Sequence, residues 1–284
     1  YFAAQDAEAH KYGEQLGCKV ISANGQNDMM KEISDIEDMV ARHVNILIVN
    51  PRDPEGLIPA VNAASAAGVK VVAVDSTLDP KANFITQVQS SNLKNGMKVG
   101  QWIADHMRGT PMKIALISGD KGNLVGQERR DGVFAGITEG QLGGGGHAGY
   151  TIVGQGWGSW TQEGGLSAME DLLTAHPDIN VVLGENDSMV LGAARALQQH
   201  NRQKGVLLVA AADGQKEALK MIGDGEYGAT GLNNPVAIIK TAIDIGMQAM
   251  KGTLPKDFPK LDYTAPVAIT KANVAQYYKP DAVF

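Results

Sequence analysis

Hydrophobic positions in this chain gather into short runs that stop on a polar residue. Ile46–Val49 is followed by Asn50-Pro51, and Val71–Val74 by Asp75. Farther on, Val181–Leu183 leads into Glu185-Asn186-Asp187, and Val206–Ala212 ends on Asp213. These runs have strand length and lack the alternation of a half-exposed strand, the pattern of parallel strands covered on both faces. A helical stretch lies inside each pair, so the chain writes strand–helix–strand twice, with Asn and then Asp at the strand tips. Open α/β sheets take ligands at the carboxyl ends of their strands. Two such units imply an α/β fold of two Rossmann-like lobes, each a parallel sheet flanked by helices, facing one polar ligand.

Extending the pattern predicts helices at about 2–16, 28–42, 54–67 and 92–108, and strands at 19–23, 46–49, 70–74 and 84–88. Gly17 and Gly68 stand where a left-handed C-cap favours glycine. Asp53-Pro54 reads as the N-cap and first residue of the third helix. The alternation then restarts with strands at 113–118, 149–154, 180–184, 206–211 and 227–231. Between and after them, helices are expected at about 124–139, 162–175, 188–200, 215–223 and 235–251, the last opened by Pro235. The tail reads as loop, a short strand near Ala265–Ile269 and a terminal helix. The glycine run Gly143–Gly146 reads as a flexible turn. The chain opens inside a helix at Tyr1, so a further strand of roughly 6–12 residues is expected ahead of it.

Composition narrows the function. The 284 residues are 44% hydrophobic and 20% charged, ordinary for a globular protein and long enough for two lobes. A net charge of −6 without a long basic run argues against nucleic acid as a partner. No apolar run approaches the ~20 residues of a membrane helix. The single cysteine, Cys18, reads as a buried small side chain. The six histidines are scattered, mostly near predicted helix ends where a positive charge suits the dipole. Neither a P-loop, HExxH, CxxC nor GxSxG is present, and Gly154–Ser159 lacks the third glycine of a dinucleotide fingerprint. No metal and no cofactor are expected. Polar groups without a nucleophile–base pair favour binding over catalysis.

Taken together, several segments resemble the ribose-binding-protein family, the type I periplasmic sugar-binding proteins of ABC transporters. They are Tyr1-Phe2, Asn50-Pro51, Asp75, Gln127–Gly132, Leu172–Asp178, Glu185–Asp187, Ala212–Gly214 and Asn233 before Pro235. The resemblance implies lobes of 1–90 plus 234–266 and of 91–233 plus 267–284, joined by a three-crossing hinge that closes over the ligand. Carried over by position, it implies sugar contacts from Phe2, Asn50, Asp75, Arg129, Trp160, Asn186, Asp213 and Asn233. Tyr1, Arg52, Ser76 and Trp157 are further candidates. Such a set suits a sugar: carboxylates accept from adjacent hydroxyls, arginine donates through a fork, amides do both, and an aromatic face covers the C–H side of the ring. The chain departs from the family pattern in three places. Ser76 follows Asp75 where the pattern has arginine, Ala212 replaces a phenylalanine, and Asn233 a glutamine. A larger ring or a linear polyol therefore fits as well as ribose.

The resemblance further implies a monomer that serves a membrane permease from the periplasm, or from the outer surface on a lipid anchor, with no signal peptide in the chain as given. Two other classes share the fold. The ligand-sensing core of a lactose-repressor-like regulator would carry an N-terminal helix-turn-helix. A sugar-modifying enzyme would use Asp75 and Asp213 as acid and base.

Overall fold

A computed structural model describes residues 1–26, 28–144 and 149–284. The chain divides into two compact units, Tyr1–Ser90 with Asn234–Thr264 and Ser91–Asn233 with Ala265–Phe284.

In the first unit the strands β1 (Ile46–Val49), β2 (Lys70–Val74), β3 (Gln87–Ser90) and β9 (Leu261–Thr264) form one parallel sheet in the order β1-β2-β3-β9. Period-2 alternation splits the apolar side chains between its faces. Val71 and Ala73 pack with Leu47, Val49 and the helices α2 (Met29–Ala41) and α3 (Ile58–Ala66). Val72, Val74 and Val88 pack on Ile238, Ala242 and Ile245 of α9 (Pro235–Lys251). Helix α1 (Phe2–Gln15) lies beside α9, tied by Tyr12 donating to Asp244 at 2.9 Å and by the Lys240–Glu8 ion pair at 2.9 Å.

The second unit has six strands in the order β10-β8-β7-β6-β4-β5. They are β4 (Met112–Ser118), β5 (Tyr150–Trp157), β6 (Val181–Gly184), β7 (Leu207–Asp213), β8 (Ala229–Leu232) and β10 (Ala268–Thr270). All pairs are parallel except β10 on β8. Alternation again serves two faces. Ile114, Leu116, Val181, Leu183, Val209 and Ala211 meet α4 (Asn92–His106) and α5 (Leu124–Gly144). Ala115, Ile117, Val182, Leu208 and Ala210 meet α6 (Gln162–Ala175), α7 (Asp187–Gln199) and α8 (Lys216–Asp224). Strand order reverses at β4, the kind of switch point where open sheets bind ligands.

Glycines let α4 and α5 pack backbone to backbone, and this closeness positions Arg129. A Cβ on Gly100 would stand 2.1 Å from the Val133 carbonyl oxygen, and one on Gly132 2.2 Å from that of Leu93.

Several expected elements differ. Residues 19–23 are not a strand: no described residue gives them a ladder partner, and a strand exists only in a ladder. Asp53-Pro54 does not open α3. The Asp53 carboxylate instead accepts the N–H of Glu55 at 2.9 Å and Gly56 at 2.7 Å, a local turn that delays the helix to Ile58. The strand expected at 84–88 pairs instead over Gln87–Ser90. Strand β5 runs on to Trp157 because its glycines keep pairing with β4. Gly143 and Gly144 belong to α5, whose end is held by Arg108 donating to the Gly144 carbonyl at 3.3 Å; Gly145 and Gly146 lie outside the described residues. The tail makes β9 and β10 and ends in a short 3-10 turn, Val274–Gln276, rather than a helix. The last crossing between units falls after Thr264, because β9 completes the first sheet and β10 the second.

Candidate functional site

Parallel pairing sets the strand tips side by side, and the polar residues there form one cluster in each unit. In the first unit β1 pairs with β2 up to Val49 and Ala73, so Asn50 and Asp75 leave the sheet as neighbours. Asn50 Nδ2 donates to Asp75 Oδ2 at 3.4 Å, and its Oδ1 accepts the Ser76 N–H at 3.3 Å. The Tyr1 hydroxyl donates to Asp75 Oδ1 at 2.6 Å. Asp75 has φ +61°, a left-handed conformation that Asp and Asn tolerate better than most residues. Phe2, in the first turn of α1, meets the Tyr1 ring edge-on and is 66% exposed. Arg52 stands apart from this cluster: it is exposed, and its N–H donates to Glu32 on α2 at 3.2 Å. Burial raises the Glu32 carboxyl above its ordinary range, while the Arg52 N–H and charge pull it down.

The second cluster centres on Arg129, buried in α5. Its Nη2 pairs with Asp213 Oδ1 at 2.8 Å, Nε donates to Asn92 Oδ1 at 3.0 Å, and Nη1 donates to the Glu185 carbonyl at 3.1 Å. A guanidinium so engaged is fixed in direction as well as in place. Asn233, just past β8, donates to Asp213 Oδ1 at 3.3 Å. The Trp160 ring lies within cation–π reach, its centroid 5.8 Å from the guanidinium carbon. A tight turn with φ +45° at Ser159 and +63° at Trp160 sets this ring against Gly119, where a Cβ would come within 2.0 Å of the indole. Trp157 stays outside the cluster, exposed at the end of β5.

Asn186 serves the fold as well as the cluster. Its Oδ1 accepts the Met189 N–H at 3.0 Å as the N-cap of α7, and its Nδ2 donates to the Trp160 carbonyl at 3.3 Å. Asn186→Ala should therefore cost about 0.5–2 kcal/mol in urea unfolding through the lost cap alone.

Four supporting residues had no role assigned from the sequence: Asn92, Glu185, Asp187 and Tyr227. The buried Glu185 accepts the Gly119 N–H at 2.8 Å and pairs with Arg130 at 2.7 Å, so it braces the loop under Trp160. The wholly buried Asp187 accepts the Tyr227 hydroxyl at 2.7 Å. Burial pushes the Asp187 carboxyl up, and backbone N–H groups from Gln215 and Gly214 oppose the shift. Burial, with the Asp187 charge beside it, holds the Tyr227 hydroxyl well above the ordinary tyrosine range, so it stays a donor at neutral pH. Glu185 and Asp187 flank Asn186 in the sequence, which was the available signal. Asn92 and Tyr227 are joined to the cluster by long-range pairing that no local pattern encodes.

Among the described residues no group of three or more His, Cys, Asp or Glu is placed to hold a metal ion. No helix among them is long and apolar enough to cross a membrane. Polar side chains fixed at the carboxyl ends of parallel strands, one cluster in each unit, define a two-unit α/β binding protein. Residues 1–254 match the model of the periplasmic binding protein domain, and the chain belongs to that family.

The relatives agree. The chain is 33% identical over 252 residues to the ribose import binding protein of Bacillus subtilis, covering 89% of this chain and 78% of the relative. An ABC transporter solute binding protein from Mycobacterium smegmatis, solved with bound glycerol, superposes with a TM-score of 0.85 at 32% identity, covering 99% of this chain and 93% of that one. The Caulobacter myo-inositol binding protein, bound to myo-inositol, superposes with a TM-score of 0.81 at 27% identity, covering 97% and 90%. The chain is a solute-binding protein of an ABC importer and not an enzyme.

Proposed function

We propose that this protein binds a monosaccharide or polyol, with both clusters required for binding, and delivers it to its membrane permease. The observation that carries the reading is the Arg129–Asp213–Asn233 group, matched in the other unit by Asn50 and Asp75. Both groups alternate donors and acceptors, which is what neighbouring hydroxyls require. Phe2, Trp160 and Tyr1 supply aromatic surface for the C–H faces of the ligand. Asn186 and Ser76 add polar edges, and Arg52 and Trp157 belong to the outer contacts. The relatives named above bind or carry ribose, glycerol and myo-inositol, so their ligands share this chemistry. The protein acts as a monomer in the periplasm or on a lipid anchor at the outer surface, without nucleic acid.

Thermal unfolding against a panel of pentoses, hexoses, inositols and linear polyols tests the reading. A true ligand at 100 times its Kd should stabilise the protein by about 2.7 kcal/mol. For a protein of this size that is a rise in Tm of several degrees. A panel in which no member raises Tm would overturn the reading.

A further inference from the structure

We propose that Asp187 is the positioning residue of the second cluster, acting on the ligand only through Asp213. It follows Asn186 at the start of α7 and is fully buried. One of its oxygens, Oδ2, accepts three successive backbone N–H groups: Asp213 at 3.0 Å, Gly214 at 2.7 Å and Gln215 at 2.9 Å. The other, Oδ1, takes the Tyr227 hydroxyl at 2.7 Å. Consecutive N–H groups converging on one anion form a nest that fixes the backbone supplying them. Here that backbone is the bend by which the chain leaves β7, with Gly214 at φ +89°.

The consequence falls on Asp213. Its main chain is held by Asp187, and its side chain is the partner of Arg129 and Asn233. The direction of the Asp213 carboxylate is therefore set from behind by a residue whose own oxygens are engaged by the backbone after β7 and by Tyr227. Tyr227, between α8 and β8, locks the clamp, because it occupies the carboxylate oxygen that the nest does not use. A carboxylate suits the role because it only accepts, and four donors meet it here. An amide keeps the size but loses the charge, and it fits only if Tyr227 turns its hydroxyl round to accept.

The inference rests on the proposed reading that this cluster holds a sugar or polyol, so its test has one arm that needs no ligand. In the ligand-free protein, Asp187→Asn should speed amide hydrogen exchange at Gly214 and Gln215 by about tenfold or more, the weight of a charge-assisted hydrogen bond. Val182 and Leu183 in β6 should keep their wild-type protection. In the second arm, calorimetry with D-ribose, glycerol and myo-inositol should show a similar rise in Kd for whichever probe binds the wild type. Tyr227→Phe should move both readouts the same way by about threefold. Unchanged exchange at Gly214 and Gln215, an equal rise across the whole unit, or an unchanged Kd overturns the proposal. If no probe binds the wild type, the ligand reading fails for these compounds, and the exchange arm alone decides the role of Asp187.

Discussion

Replacing Arg129 with alanine should weaken ligand binding severely and remove about 3–5 kcal/mol of stability, the usual loss when one member of a buried ion pair is deleted. The side chains of Arg129 and Asp213 are only 5% and 12% exposed, so the carboxylate left behind has little water to turn to. The damage extends past the pair. Asn92 Oδ1 and the Glu185 carbonyl lose their donor, and Trp160 loses the cation beside its ring. Urea unfolding reads the stability as a lower midpoint at unchanged slope. Calorimetry should then show an affinity at least about a hundredfold weaker, from the loss of charge-assisted hydrogen bonds and the misplacement of Asp213. A stability loss under about 1 kcal/mol would mean that the pair behaves as a solvated surface contact.

The second large effect is expected at Asp75, and there it should fall on binding far more than on folding. Asp75→Asn keeps the size, and asparagine accepts the left-handed backbone at φ +61°. It removes the charge that draws hydroxyl donors. Affinity should fall by about ten- to a hundredfold, while Tm moves by no more than a few degrees. Asp75→Ala would blur the result, because a Cβ without the short polar group is strained at positive φ. An equal drop in stability and affinity would show that Asp75 holds the turn after β2 rather than the ligand.

Asp75 was readable from the sequence because strand tips announce themselves, whereas Arg129, inside α5, came only with the family resemblance. An apolar run that stops on Asn or Asp fixes the strand and the residue at its carboxyl end, and parallel pairing does the rest. Strands β1 and β2 and helices α6 and α9 stand where the hydrophobic pattern puts them. The losses have physical causes. Strand β3 was expected too early because three of its four residues, Gln87, Gln89 and Ser90, are polar. Those residues are nevertheless buried, Gln87 donating to Gln89 and accepting the Leu78 N–H, and hydropathy is blind to amides that satisfy each other. Strand β9 has an exposed, alternating sequence that only its pairing with β3 makes a strand. Asp53 looked like a cap because the same side chain serves caps and turns equally well.

The clusters show the same division. Asn50, Asp75, Asn186 and Asp213 were legible one by one. The buried supports were not, since Asn92, Glu185, Asp187 and Tyr227 act through partners far away in sequence. Trp157 and Trp160 stand three positions apart on adjoining segments, yet only Trp160 reaches Arg129. The two positive-φ residues before α6 decide that, and nothing in the local sequence demands them.

Binding of a sugar or polyol should depend on both clusters. Isothermal titration of the tightest-binding member of the panel tests it most directly, run on the wild type, Asp75→Asn and Asp213→Asn. The wild type should bind one ligand per chain, and each variant should bind it at least about tenfold more weakly. Wild-type affinity retained in either variant, or two ligands per chain, would contradict this.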